Sequence, residues 1–167
     1  RKYLYNMIHI RKALPGDAGE IWNIIHRVIQ DGDTYAFDPS SSKDEMLAYW
    51  CAADKHTYVA VINEEIKGTF IMKDNQPGLG SHVANAGYMT SPDAFGKGIG
   101  KAMALFSLEE AKNLGYRAMQ FNLVIKTNER AVELWKKLGF AIIGEIPEAF
   151  NHKSLGLTNA YIMYRKL

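Results

Sequence analysis

Apolar and polar positions recur along this chain with two periods, one of about two residues and one of about 3.6 residues. Alternating or continuous apolar runs predict about seven strands, at residues 7–11, 57–63, 66–73, 82–89, 117–125, 140–146 and 159–165. The helical period predicts about four helices, at residues 21–30, 41–53, 99–114 and 128–138. We therefore expect an α/β (α+β) fold with a single mixed, mostly antiparallel sheet, in which residues 86–123 form a parallel crossover.

Turn and cap residues set the expected boundaries of these elements. Asp17 is expected to cap the first helix, and Ser42 with Glu45 three residues later has the capping-box pattern before the second helix. Residues 147–158 are polar and begin with Pro147, so we expect a loop before the last strand.

A glycine-rich loop lies between a predicted strand and the third predicted helix. Its glycines, Gly96, Gly98 and Gly100, have the spacing G-x-G-x-G, which matches neither the dinucleotide-binding loop nor the Walker loop. Glycines let the main chain approach an anion and expose its N–H groups, and a helix start adds partial positive charge. With Lys97 and Lys101 at its rim, the loop predicts a phosphate site. An ordinary glycine-bearing turn before a helix is the alternative.

Composition narrows the classes of function. The 167 residues include 47% hydrophobic and 23% charged positions with a formal net charge of +2, which is typical of one globular domain over residues 1–167. So small a charge argues against a nucleic-acid partner, and no apolar run or signal pattern indicates a membrane. A single cysteine, Cys51, fits a reducing compartment, so we expect a cytoplasmic protein. None of the five histidines pairs at metal-ligand spacing, so no metal is expected. Whether residues 1–6 are native is left open.

The string P-D-x-x-G-K-G-I-G-K around the glycine loop resembles the acetyl-CoA loop of the GCN5-related N-acetyltransferases, whose core is Q/R-x-x-G-x-G/A. Gly98 and Gly100 match that core, and Phe95 stands where the family usually has Arg or Gln. A second stretch, residues 128–140, is similar to the family's N-x-x-A-x-x-L-Y-x-x-x-G-F. The predicted order of elements from about residue 7 is also that of this family. The resemblance implies the GNAT fold, in which two parallel strands splay apart in the middle of the sheet.

The resemblance further implies that acetyl-CoA is the cosubstrate and lies in the wedge between the splayed strands. The main chain at the end of the first strand would pair with the pantetheine arm, the loop N–H groups would hold the pyrophosphate, and the start of the last helix would flank the arm. The residues implied to bind acetyl-CoA are Met89, Thr90, Phe95, Gly96, Lys97, Gly98, Ile99, Gly100, Lys101, Asn128 and Ala131.

Acetyl transfer to an amine requires a polarised thioester carbonyl, a neutral and aligned amine, and a donor for the leaving thiolate. The family's usual general acid is the tyrosine of L-Y-x-x-x-G-F, which is Trp135 here and has no acidic proton near neutral pH. Asn128 is a neutral donor that stabilises charge without supplying a proton. Tyr88, Tyr161 and His82 are alternative proton donors, although a tyrosine in a strand more often packs in the core.

Three asparagines stand at positions that require hydrogen-bond partners: Asn85, Asn122 and Asn128. A buried amide without partners costs about 1–3 kcal/mol. The strings that contain them, H-V-A-N-A-G-Y, F-N-L-V and K-T-N, resemble the azetidine-2-carboxylate, or proline-analogue, N-acetyltransferases, and tryptophan in place of tyrosine is consistent with that subgroup. The resemblance implies that the three amides bind an amino acid's carboxylate and position its nitrogen. Structural amides at Asn85 and Asn122 and an N-cap at Asn128 are the alternatives.

The resulting hypothesis is an acetyl-CoA-dependent N-acetyltransferase that acts on a small amine, such as a cyclic imino acid, by direct transfer in a ternary complex. Tyr35 and Phe37, with residues 147–158, are expected to wall the acceptor pocket. Two alternatives stay open. One is a CoA-binding regulatory module without turnover, for which Trp135 and Phe95 argue, and the other is an acetyltransferase for a polyamine, an antibiotic or a peptide N-terminus. A homodimer is also left open.

Overall fold

A computed structural model describes residues 7–167 of the chain. Over this range the strands are β1 (His9–Lys12), β2 (His56–Ile62), β3 (Glu65–Asp74), β4 (Val83–Thr90), β5 (Ala118–Ile125), β6 (Ala141–His152) and β7 (Gly156–Lys166). The α-helices are α1 (Ala18–Asp31), α2 (Lys43–Trp50), α3 (Ile99–Asn113) and α4 (Glu129–Lys137). No helix in the described part of the chain is long and apolar enough to cross a membrane.

The strands form one sheet in the order β1-β2-β3-β4-β5-β7-β6. Neighbouring strands are antiparallel except β4 and β5, which run parallel and are joined through α3. The predicted mixed, mostly antiparallel sheet with a parallel crossover is therefore confirmed. One face of the sheet packs against α1 and α2 and the other against α3 and α4.

A glycine in β3 sets how closely α3 approaches the sheet. A Cβ at Gly68 would lie 2.8 Å from Cγ2 of Ile99 and 2.9 Å from the sulfur of Met103. Both of these α3 side chains are fully buried. The first turn of α3, and the glycine loop before it, therefore sit at a depth that only glycine at position 68 allows.

The prediction of a loop at residues 147–158 is wrong, because β6 and β7 extend through most of this segment as a long hairpin. Pro147 and Glu148, whose φ is 50°, lie within a register shift between Ile146 and Phe150. Since β6 is the edge strand of the sheet, a bulge and a proline interrupt its ladder without ending the strand.

The two predicted N-caps differ in outcome. The side chain of Ser42 accepts a hydrogen bond from the N–H of Glu45 at 3.1 Å, which confirms the cap of α2. Asp17 precedes α1, but its carboxylate makes no capping bond. Its Oδ2 accepts instead from Arg11 Nη1 and from the N–H of Leu14, both at 2.7 Å, and its Oδ1 accepts from Arg11 Nη2 at 3.1 Å. The prediction of a capping side chain at Asp17 is wrong because Arg11 and Leu14 engage both of its oxygens.

Candidate active site

The glycine loop, residues 95–101, follows a short 3-10 turn at Pro92–Ala94 and leads into α3. Gly96 and Gly98 each have φ of 80°, a left-handed conformation that favours glycine. From Gly96 to the first turn of α3, the main-chain N–H groups have no hydrogen-bond acceptor within residues 7–167. Unpaired donors at the start of a fifteen-residue helix are groups that can bind an anion. We call residues 95–101 the anion seat.

The side chains of the anion seat divide into exposed and buried ones. Lys97 and Lys101 are exposed and form no ion pair within the described residues, so both charges face solvent at the rim. Phe95 is also exposed, with 57% of its surface accessible. Ile99 is buried under the helix, so only its N–H is available to a ligand. The seat is therefore made mainly of main-chain groups.

Asp93 holds the turn that precedes the anion seat. Its carboxylate accepts hydrogen bonds from Ser91 Oγ at 2.8 Å, from Arg27 Nη1 at 3.2 Å and from Lys67 Nζ at 3.3 Å. These donors, the serine first, lower the pKa of Asp93 to about 2. The charged carboxylate thus connects the turn to α1 through the arginine and to β3 through the lysine.

β4 and β5 pair with each other only where they begin. Their parallel register contains two residue pairs and ends at Ala84 and Met119. The strands then continue to Thr90 and Ile125 without pairing to each other. On its other side β5 shifts register against β7 after Phe121. The two strands therefore part, and the β4–β5 gap opens towards the end of β4, where the anion seat begins.

Asn85 lies on β4 at the point where the gap begins. Its Nδ2 donates to the main-chain oxygen of Gln120 on β5 at 2.9 Å. A side-chain amide thus takes the place of the next bond of the parallel ladder. Asn85 therefore has the hydrogen-bond partner that the sequence predicted for it. This side-chain bond to β5 marks the inner boundary of the gap.

Alternate residues of β4 direct their main-chain groups into the gap. The N–H of Ser91 donates to the main-chain oxygen of Lys67 on β3 at 2.8 Å. Because the main-chain groups of a strand alternate between its two edges, Met89 also faces β3, whereas Tyr88 and Thr90 face the gap. This alternation favours Tyr88 and Thr90 over Met89 as the residues whose main chain lines the gap.

A tyrosine from the α1–α2 connection is hydrogen-bonded to the main-chain groups of Tyr88 that face the gap. The hydroxyl of Tyr35 accepts a hydrogen bond from the N–H of Tyr88 at 2.6 Å and donates one to the carbonyl oxygen of the same residue. The Tyr35 ring stacks on Phe37, with 6.0 Å between centroids. A Cβ at Gly87 would lie 3.8 Å from the Tyr35 ring, so the ring lies directly against β4. Burial raises the pKa of Tyr35, and the hydroxyl therefore keeps its proton.

The tip of the β6–β7 hairpin reaches the same α1–α2 connection. The N–H of Lys153 donates to the main-chain oxygen of Gly32 at 3.0 Å, and its Nζ donates to that of Gln30 at 3.0 Å. The segment at 147–158, although not a loop, therefore meets the connection that carries Tyr35.

Asn122 is exposed on β5, which corrects the burial that its apolar neighbours predicted. It lies in the register shift that follows Phe121, where β5 leaves the regular ladder. Its Nδ2 donates to Asn75 Oδ1 at 2.8 Å, and its Oδ1 accepts from Gln120 Nε2 at 3.0 Å. Gln120 therefore connects Asn122 to Asn85, since its main-chain oxygen accepts from the latter.

Asn128 lies at the start of α4 and acts as its N-cap. Its Oδ1 accepts from the N–H of Ala131 at 3.4 Å, which confirms the capping interpretation. Its Nδ2 has no hydrogen-bond partner among the described residues, so its two N–H donors are available to a ligand. The structure thus brings Asn85 and Asn122 together through a shared neighbour, and Asn128 is hydrogen-bonded to neither of them.

Trp135 is buried in an aromatic cluster. Its ring lies 4.4 Å from the ring centroid of Phe121, 5.0 Å from that of Tyr88 and 5.5 Å from that of Phe140. The residue at the position of the family's usual acid thus serves packing. The Tyr88 hydroxyl is hydrogen-bonded to Ser107 Oγ of α3 at 2.6 Å, and burial raises its pKa, so this candidate proton donor is also engaged in the core.

The other two candidate donors lie at opposite ends of the parted strands. Tyr161 of β7 pairs with Val124, near the end of β5. Its ring centroid lies 5.7 Å from Nζ of Lys126. His82 is exposed just before β4, at the end where the two strands are still paired. Tyr161 is therefore better placed than His82 for chemistry at the open end of the gap.

This seven-stranded sheet, with its parted parallel pair and four helices, has the fold of the N-acetyltransferases, a class of acyltransferase enzymes. Residues 22–140 match the Acetyltransferase (GNAT) family, and the chain belongs to that family.

Individual relatives agree with this assignment. A GCN5-related N-acetyltransferase from Kribbella flavida is 36% identical, with a TM-score of 0.92, covering 96% of this chain and 98% of that one. N-acetyltransferase aca1 of Schizosaccharomyces pombe is 40% identical over 96 residues, which are 57% of this chain and 46% of that protein. The chain spans less than half the length of the curated relatives it matches. An acetyltransferase structure from Salmonella typhimurium with its cofactor acetyl-CoA shares the fold, at 20% identity and a TM-score of 0.84 over 96% of this chain and 94% of that one.

Sequence reasoning missed Gly68, Gln120 and Asn75. An isolated glycine inside a strand pattern does signal a close approach of another segment, so Gly68 carried a usable signal. Gln120 and Asn75 carried none, because their hydrogen bonds depend on where β4 and β5 part.

Proposed function

We propose that this protein transfers an acetyl group from acetyl-CoA to the nitrogen of a small amine, directly, in a ternary complex. The observation that carries the proposal is the parting of β4 and β5 beside the anion seat. The seat supplies main-chain N–H groups for a pyrophosphate, and the gap supplies unpaired strand edges for an amide-bearing arm. A solved relative that contains acetyl-CoA supports this choice of cosubstrate.

The residues that would bind acetyl-CoA have distinct functions. The N–H groups from Phe95 to Lys101 would hold the pyrophosphate, with Lys97 and Lys101 adding charge. The main chain of Thr90, which faces the gap, would pair with the pantetheine arm. Asn128 and Ala131 would flank the arm at the start of α4.

The asparagines would act on the acceptor. The available Nδ2 of Asn128 is suited to stabilise charge on the reacting group, since it has no partner within residues 7–167. Asn85 would position the acceptor's nitrogen at the inner boundary of the gap, and Asn122 would bind its carboxylate from the exposed side of β5. The acceptor that these amides favour is a cyclic imino acid such as azetidine-2-carboxylate, whose nitrogen and carboxylate lie close together.

Isothermal titration calorimetry with acetyl-CoA tests the first part of the proposal. We expect saturable binding at micromolar concentrations, and the absence of binding would refute it. Release of free CoA thiol, followed with azetidine-2-carboxylate, a polyamine, an aminoglycoside and a peptide N-terminus, tests the acceptor. Turnover confined to one of the last three would retain the activity and reject the imino acid.

A module that binds CoA without turnover is the second candidate. It is favoured by the buried Trp135, which stands where the family usually has a proton-donating tyrosine. Thiol release distinguishes the two candidates. Acetyl-CoA binding without thiol release, across a broad panel of amines, would support the module.

A further inference from the structure

The hydroxyl of Tyr35 is hydrogen-bonded to both main-chain groups of Tyr88, on the edge of β4 that is no longer paired with β5. It accepts from the N–H and donates to the carbonyl oxygen. A neighbouring strand would make this same pair of bonds, so one phenol group substitutes for a residue of the missing ladder. In a free protein whose strands have parted, it satisfies polar groups that would otherwise be buried without partners.

The position of this contact places it on the path of a ligand in the gap. Tyr88 lies two residues before Thr90, on the same edge of β4 and on the side of the gap away from the anion seat. An arm that enters from the seat and pairs with Thr90 reaches Tyr88 next. The Tyr35 hydroxyl and the arm would therefore compete for hydrogen bonds to the same N–H and carbonyl groups of Tyr88.

We propose that Tyr35 is a displaceable cap, whose hydroxyl holds the Tyr88 main chain in the free protein and yields it to the thioester end of acetyl-CoA. This inference rests on the proposed function, because it requires acetyl-CoA to lie in the β4–β5 gap. Tyr35 is thus a positioning residue: it keeps the edge of β4 extended and dry until the cosubstrate arrives. Binding of the cosubstrate is coupled to release of the α1–α2 connection.

The surroundings of Tyr35 permit this movement. The residue belongs to the connection between α1 and α2, outside any helix or strand. Gly87 leaves open the face of β4 on which the ring lies, with 3.8 Å from a notional Cβ to the ring. The connection is joined to the hairpin tip through Lys153, so release of Tyr35 is transmitted to the segment expected to wall the acceptor pocket.

Tyr35→Phe tests the inference, since it removes the hydroxyl and keeps the ring. The Tyr88 groups then lack their cap, and a ligand that pairs with them no longer displaces anything. We expect the Kd for acetyl-CoA to fall by about tenfold, the effect of one to two hydrogen bonds. ADP, which has no pantetheine arm, should bind the variant and the natural protein equally. A purely structural tyrosine would produce no change, or weaker binding of both ligands.

Tyr49→Phe is the matched control. Tyr49 belongs to the same aromatic group, with its ring 5.6 Å from that of Phe37, and its hydroxyl makes no hydrogen bond within the described residues. We expect it to leave both affinities unchanged. Thermal unfolding of the two variants verifies that each is folded before it is titrated.

Hydrogen–deuterium exchange on the natural protein gives a second measurement that does not depend on a variant. Acetyl-CoA should increase exchange in residues 33–38 and ADP should not. Protection of this segment by acetyl-CoA would overturn the inference, and so would an unchanged or higher Kd in Tyr35→Phe. Failure of the natural protein to bind acetyl-CoA at all would instead refute the proposed function.

Discussion

The anion seat and the β4–β5 gap beside it are built from different chemical groups. The seat, residues 95–101, presents main-chain N–H groups held open by two left-handed glycines. The gap is bordered by side-chain groups, the amides of Asn85 and Asn122 and the hydroxyl of Tyr35, each already hydrogen-bonded in this structure. A site made of main chain depends on conformation, whereas a site made of side chains depends on residue identity. Substitutions should therefore affect the two regions differently.

Gly98→Val should have the largest effect, because a β-branched residue is strained at φ of 80°. We expect the first turn of α3 to rotate its N–H groups away from the seat and acetyl-CoA binding to weaken by about 100-fold, the value of one strong charge-assisted hydrogen bond. Calorimetry measures the change. Gly19→Ala, in the open first turn of α1, is the control and should bind normally. Normal binding by Gly98→Val would mean that the loop conformation does not form the site.

Gly68→Ala should destabilise the fold beneath the seat. Its Cβ would overlap the Ile99 and Met103 side chains at 2.8 and 2.9 Å, and overpacking of a core costs about 1–3 kcal/mol. Urea denaturation should show this loss, accompanied by weaker acetyl-CoA binding as α3 shifts. Gly144→Ala, where the nearest side-chain atom is 3.6 Å away, should change neither quantity. If Gly68→Ala kept its stability but bound acetyl-CoA more weakly, the loss of binding would not come from destabilised packing of α3 against β3.

Asn128 combines two functions that variants can separate, since its Oδ1 caps α4 and its Nδ2 has no hydrogen-bond partner within residues 7–167. Asn128→Ala should lower the free energy of unfolding by about 1 kcal/mol through loss of the cap and should also reduce turnover. Asn128→Asp retains a capping oxygen but removes the donor. We expect it to restore stability without restoring thiol release, and full activity in this variant would exclude a role for the amide in the reaction.

Substitution of Asp93 should have the smallest effect, a change in stability that is seen only at acidic pH. Its pKa in the folded protein, about 2, lies below the ordinary value of 3.8. The charged carboxylate therefore stabilises the fold above about pH 4, and this contribution is lost as the pH falls towards 2. Asp93→Asn should flatten the decline of the unfolding midpoint over that interval, and Asp33→Asn, at an exposed aspartate, should not. Identical pH profiles for Asp93→Asn and the natural protein would contradict the assigned ion pairs.

The sequence predicted the glycine-rich turn and the helix that follows it, because glycine spacing and helical periodicity are local features. The Ser42 and Asn128 caps were predictable for the same reason. The 147–158 hairpin was not, because an edge strand tolerates a proline and a bulge that would end a central strand, and edge position is not encoded locally. Anion binding by the glycine-rich turn, the roles of the asparagines, the single-domain organisation and the cytoplasmic location remain predictions.

By itself, the sequence determined the order of strands and helices, the family and the loop that can hold an anion. Tertiary structure alone decided where β4 and β5 part, which main-chain groups that parting leaves unpaired, and which side chains satisfy them. Asn85 reaches Gln120 across 35 residues of sequence, and Tyr35 reaches Tyr88 across 53. Periodicity and capping act over a few residues, whereas a gap between strands arises from the registers and packing of segments far apart in the chain.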